Sequence, residues 1–169
     1  MDKNSATADE VFNLLEGIWQ GEGRGGFPTV TSFGYREKLV FTRRNESTLA
    51  YDQRTEKRME GSEEYLTSHW ERGFISVLES GELELVNAQS GGRGEVLTGH
   101  IEALESIIRL HFVSKALMND PRMLSTARAF ELEGDQLRYE MEMSTTKVDE
   151  LTQHLAITRD YFAIRHLTS

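Results

Sequence analysis

Apolar residues near the start of the chain recur with helical spacing. Val11, Phe12, Leu14 and Leu15 follow Ser5, Thr7 and Asp9, any of which can cap a helix, and the pattern predicts a short helix ending near Gly17. The period then changes to two. Phe33, Tyr35, Glu37, Leu39 and Phe41 alternate with Gly34, Arg36, Lys38, Val40 and Thr42, as in a strand with two different faces. Further strand-like runs are Ser47–Arg54, Glu64–Glu71, Phe74–Glu79, Glu82–Ala88, Glu95–Glu102, Ser106–Val113, Ser125–Leu132, Gln136–Ser144 and Ala156–His166. Gly61, Gly73, Gly81 and Gly91-Gly92 punctuate them, Glu133-Gly134-Asp135 reads as a hairpin turn, and Met118–Met123 with Pro121 reads as the one longer loop. About ten short strands behind a single helix predict an all-β antiparallel sandwich or barrel. Strands and helices do not alternate after Gly17, which argues against a doubly wound nucleotide fold. The 169 residues suffice for one domain, 1–169, and are too few for two comfortable ones.

The charge balance narrows the partners. Twenty-eight Asp and Glu against nineteen Lys and Arg give a net charge of -9. That surface repels phosphate backbones and anionic headgroups, so neither nucleic acid nor membrane is expected. There is no cysteine, which removes disulfides, zinc-thiolate sites and thiolate-ligated haem, and fits a reducing compartment. With no apolar run of membrane-spanning length and a polar N-terminus, a soluble cytoplasmic protein is expected.

The stretch GEGRGGFPT contains a literal G-x-G-x-x-G in Gly21, Gly23 and Gly26. A dinucleotide fingerprint needs a strand before the glycines and a helix after them, whose N-terminus holds the pyrophosphate. Here the helical pattern comes before, and Pro28 followed by period-two alternation comes after. The glycines instead suit a first strand that bends, twists and approaches other backbone closely, leaving room inside a barrel.

GIWQGEG, Gly17–Gly23, resembles the G-x-W-x-G-x-G signature of the nitrobindins, and Phe27-Pro28-Thr29-Val30 resembles their aromatic-Pro-Thr-aliphatic continuation. Phe33, Tyr35, Glu37, Tyr51 and Gln53 extend the likeness, which covers Leu14 to about Leu155. The resemblance implies a ten-stranded antiparallel up-and-down β-barrel of nitrobindin or lipocalin-like type, related in shape to the fatty-acid-binding proteins, with haem b near its mouth. It also implies a ferric haem with one protein ligand and an open sixth position. Such a site binds nitric oxide and is proposed to isomerise peroxynitrite to nitrate, without a general base from the protein.

Haem b needs an axial ligand, and in a chain without cysteine a neutral imidazole is the natural candidate. The histidines are His69, His100, His111, His154 and His166. By the resemblance, His154 in QHLA stands at the iron-ligating position and His69 in HWERGF on the distal side. Met143 and Thr29 fall where that family meets its haem. The segment KVDELTQH has no proline where relatives commonly have one, and is one residue longer between Met143 and His154. Read by residues alone, His69 could equally face solvent opposite a buried Trp70. Met141 and Met143 could be core filler. Glu71 could hydrogen-bond His69 or be a solvated charge. Two function classes follow: a ferric-haem protein acting on nitrogen oxides, and a haem-free barrel for a small apolar molecule or fatty acid. Exposed strand edges in a nearly closed barrel could also pair two copies as a homodimer.

Overall fold

The computed structural model describes residues 6–162. Its first element, α1 (Ala8–Leu15), is fixed by its cap. The Glu10 amide donates to Thr7 Oγ1 at 3.3 Å, and the Thr7 amide donates to the Glu10 carboxylate at 2.8 Å. This reciprocal pair satisfies two of the donors that a helix start leaves unbonded. Val11, Phe12 and Leu15 share one fully buried face, while Leu14 is exposed.

Ten strands follow: β1 (Gly17–Phe27), β2 (Val30–Asn45), β3 (Thr48–Arg58), β4 (Leu66–Val77), β5 (Leu83–Gln89), β6 (Gly94–Leu104), β7 (Ile107–Met118), β8 (Met123–Glu133), β9 (Gln136–Thr145) and β10 (Val148–Phe162). Each pairs antiparallel with the next, and β10 returns to pair with β1, so the sheet is a closed up-and-down barrel. Closure gives every strand a neighbour on both sides, and the β7–β8 ladder spans Ile108–Val113 with Ala127–Leu132.

Three expected boundaries differ. The runs 64–71 and 74–79 are one strand, β4, that passes through Gly73. A Cβ there would lie 2.2 Å from the Val86 carbonyl oxygen and 2.8 Å from the Tyr51 ring, so this glycine marks a close approach inside a strand, not a turn. β10 begins at Val148 instead of Ala156, and residues 163–166 of the expected last strand lie outside the described residues. The longest connection between strands is 59–65, whereas residues 119–122 make a short turn.

The β1 glycines answer to the seam that closes the barrel. A Cβ on Gly21 would stand 2.1 Å from the Thr158 carbonyl oxygen, and one on Gly23 2.3 Å from that of Ala156. Both obstacles are β10 backbone, which cannot rotate away as a side chain can.

At one end of the barrel α1 acts as a stopper. Its Val11, Phe12 and Leu15 join Trp19, Phe41, Leu49 and Leu85 in the apolar core. The Trp19 indole N–H donates to the Leu15 carbonyl at 2.8 Å, and Arg43 near the β2–β3 turn pairs with Asp9 at 2.6 Å. The opposite end, ringed by the β1–β2, β3–β4, β5–β6, β7–β8 and β9–β10 connections, opens into a cavity.

Candidate functional site

The β9–β10 ladder sets the position of His154. Gln153 pairs with Glu142 and Leu155 with Met141, so His154 is the extra residue of a β-bulge with no partner on β9. A bulge bends its strand and re-aims a side chain. On the other side Leu155 pairs with Gly25, which brings the imidazole beside Gly26. His154 Nδ1 lies 3.0 Å from the Gly26 carbonyl oxygen. A carbonyl only accepts, so Nδ1 carries the proton and neutral His154 keeps its lone pair on Nε2. Phe27 and Phe33 set their rings edge-on to the imidazole, with centroids 6.1 and 6.3 Å away. Burial lowers the His154 pKa from its ordinary value. The bond to Gly26 opposes the shift, and Arg93 and His69 add to it. The group is thereby held as neutral imidazole.

His154 opens on a cavity of about 580 Å³, within the range of roughly 300–1,000 Å³ usual for cofactor sites. Phe27, Phe33, Leu117 and Leu155 give it apolar walls, with Met118, Met123, Met141 and Met143 filling in between them. Thr29, in the β1–β2 turn, and Met143, on β9 opposite Thr126 and Thr152, both line it. So does His69 on β4. All four site residues expected from the sequence therefore meet at one cavity. The alternative phase for β4 is excluded, since Trp70 is 41% exposed and points outward while His69 faces in.

Beneath these walls the floor is charged. Glu71 accepts from the Tyr51 hydroxyl at 2.5 Å and from both terminal nitrogens of Arg128 at 2.6 and 3.0 Å. Arg128 also donates to Glu95, which accepts from Asn87 Nδ2 at 3.0 Å. Beside them Glu37 accepts from Gln53 at 2.8 Å and Thr55 at 2.6 Å, and pairs with Arg159. Burial alone would raise the Glu71 pKa. The Arg128 charge, with hydrogen bonds from His69, Arg128 and Tyr51, overcomes that and holds it down at about 2. His69 Nε2 lies 3.4 Å from this carboxylate, a long contact in which the ring nitrogen donates.

The floor was not predicted as a site. Its signal in the sequence is a charge on the apolar phase of a strand: Glu37 between Tyr35 and Leu39, Arg128 between Thr126 and Phe130, and Glu95 in step with Leu97. Among the described residues no group of three or more His, Asp or Glu side chains could hold a metal ion by itself. Iron in this cavity would need the four nitrogens of a porphyrin in addition to His154. The donor, the volume and the apolar walls fit that group.

A closed ten-stranded barrel with the imidazoles of His154 and His69 facing a cavity at its open end defines a class of small-molecule-binding β-barrels. Residues 10–159 match the family model described as the THAP4-like, heme-binding beta-barrel domain, and the chain belongs to this family, the nitrobindins. It is 35% identical over 148 residues to a protein of Arabidopsis thaliana named peroxynitrite isomerase Rv2717c, covering 88% of this chain and 85% of that one. It is 31% identical over 144 residues to peroxynitrite isomerase 2 of Mycobacterium ulcerans, covering 83% and 86%. The crystal structure of Rv2717c from M. tuberculosis superposes with a TM-score of 0.81 at 28% identity, over 93% of this chain and 98% of that one. Among the described residues no helix is long and apolar enough to cross a membrane.

Proposed function

We propose that His154 Nε2 would hold a ferric haem b in the cavity, and that the protein so loaded binds nitric oxide and isomerises peroxynitrite to nitrate. The observation that carries this reading is the His154–Gly26 hydrogen bond, which leaves Nε2 as the unprotonated nitrogen at the cavity. The names of the relatives support the same chemistry. Bound there, ferric haem supplies an electrophilic centre for nitric oxide or peroxynitrite.

The chain's own residues do the rest. Gly26 fixes the tautomer and orientation of His154, and Phe27 and Phe33 keep water from the ring. His69, tethered to Glu71, would shape and polarise the side of the cavity away from His154, and Met143 and Thr29 line the space that a porphyrin would fill. No carboxylate is assigned as acid or base. Glu71 is locked as an ion by Arg128, and an isomerisation has no net proton to move.

The second reading, a haem-free barrel for a fatty acid, has less support. A carboxylate directed to the floor would find Arg128 and Arg159 already engaged by Glu71, Glu95 and Glu37. Haemin titration of the purified protein decides between them. A Soret band that shifts with nitric oxide and is lost in His154→Ala supports the haem reading. Colourless protein that takes up no haemin yet binds a fatty-acid probe supports the other.

A further inference from the structure

The cavity floor carries more negative than positive charge. Glu71 and Glu95 share one guanidinium, that of Arg128, while Glu37 is matched by Arg159 alone. Three carboxylates thus face two cations in a layer closed to bulk solvent, beneath a rim where Asp120 is paired with Arg93 and Arg122 and Lys147 lies at the β9–β10 turn. Glu71, Glu95 and Arg128 all line the cavity directly.

The second carboxylate is not needed to satisfy Arg128 electrostatically. Glu71 already binds it through both terminal nitrogens, in the fork geometry that makes such pairs strong. Burying a further carboxylate costs free energy that a neutral side chain of the same shape would not incur. Glu95 is that extra charge. Its neighbours, Arg128 and Asn87, both donate to Oε2, so a glutamine whose carbonyl oxygen took that place would keep both contacts.

Buried charge is poorly screened by water or salt and acts on whatever occupies the cavity. Of two states of an occupant, it favours the more positive. Resting on the haem reading above, we propose that Glu95 supplies the surplus negative charge that biases bound iron toward the ferric state. Ferric and ferrous haem differ by one electron and hence by one positive charge, so the bias is read directly as a reduction potential.

The test is a spectroelectrochemical titration of haemin-reconstituted protein at about pH 8, above the range in which an unperturbed imidazole titrates. Each reduction takes one electron from the electrode. Glu95→Gln is expected to move the midpoint to a more positive potential. Glu140→Gln, an exposed carboxylate on the outer face of β9, is expected to leave it in place. Glu95→Met, which removes the same charge with an apolar side chain of similar length while Glu71 still holds Arg128, is expected to shift it in the same direction and decides the matter if Glu95→Gln does not fold. Reconstituted Glu95→Gln with an unshifted midpoint overturns the proposal and leaves the haem reading standing. So does a Glu140→Gln shift of equal size. Wild-type protein that takes up no haemin overturns both.

Discussion

Arg128 grips Glu71 by both terminal nitrogens, at 2.6 and 3.0 Å, in a layer that neither side chain shares with bulk water. The pair makes acid a specific denaturant. Glu71 falls from an ordinary 4.5 to about 2, so its stabilising contribution is complete above about pH 4.5 and is lost as the pH drops toward 2. The shift corresponds to on the order of 3 kcal/mol. Urea unfolding of the haem-free protein from about pH 6 to about pH 3 is expected to show stability falling through that window. The Glu71→Gln variant should show a much flatter dependence. A variant that keeps the full acid slope would place its origin elsewhere.

Removing the cation is a harsher change than removing the whole cluster. Arg128→Met leaves Glu71 and Glu95 buried without a counter-charge, held only by hydrogen bonds from Tyr51 and Asn87 and the long contact from His69, and is expected to cost about 3–5 kcal/mol. Adding Glu71→Leu and Glu95→Leu to the same chain is expected to recover most of that loss, since apolar residues of similar volume need no counter-charge. The midpoints of chemical denaturation for the single and triple variants measure the difference.

His154 is expected to titrate below about 6.5 in the haem-free protein, because burial disfavours its cation. The unfolded chain then binds a proton more readily than the folded one. The contribution of this group is present above about pH 6.5 and declines as the pH falls below it. The chemical shift of its ring C–H against pH gives the midpoint. A value at or above 6.5 would contradict the buried, carbonyl-bonded imidazole.

Two glycines on paired strands should respond oppositely to the same change. Gly23→Ala drives a methyl to within 2.3 Å of the Ala156 carbonyl oxygen, and is expected to cost at least about 1–3 kcal/mol by forcing β1 from β10. Gly34→Ala meets nothing within 4 Å and is expected to be neutral or slightly stabilising, by restricting the unfolded chain. Melting temperatures of the two variants provide the comparison.

Much of this architecture is legible before any coordinates. Helical spacing after Thr7 and period-two alternation from Phe33 onward depend on local patterning, and α1 and β2 lie where those patterns put them. Gly73 misled because a glycine inside a strand and one at a turn look alike until the strand that crowds it is known. The start of β10 was missed for a related reason: Val148–Gln153 lacks clean alternation because the ladder shifts register there before the bulge at His154. The site was half legible. His154, His69, Thr29 and Met143 carry motif context and share one cavity, whereas the Arg128 cluster joins residues from β3, β4, β5, β6 and β8. A single charge on the apolar phase of a strand announces burial without naming its partner, and the partner is supplied only when the sheet closes.

Because α1 seals one end of the barrel, the cavity is a cul-de-sac. Among the described residues, whatever enters past the Thr29 and Lys147 turns must back out the same way, so an incoming molecule and an outgoing one contend for one doorway. A bead or fusion partner joined ahead of α1 would sit behind the blind end and leave that doorway clear.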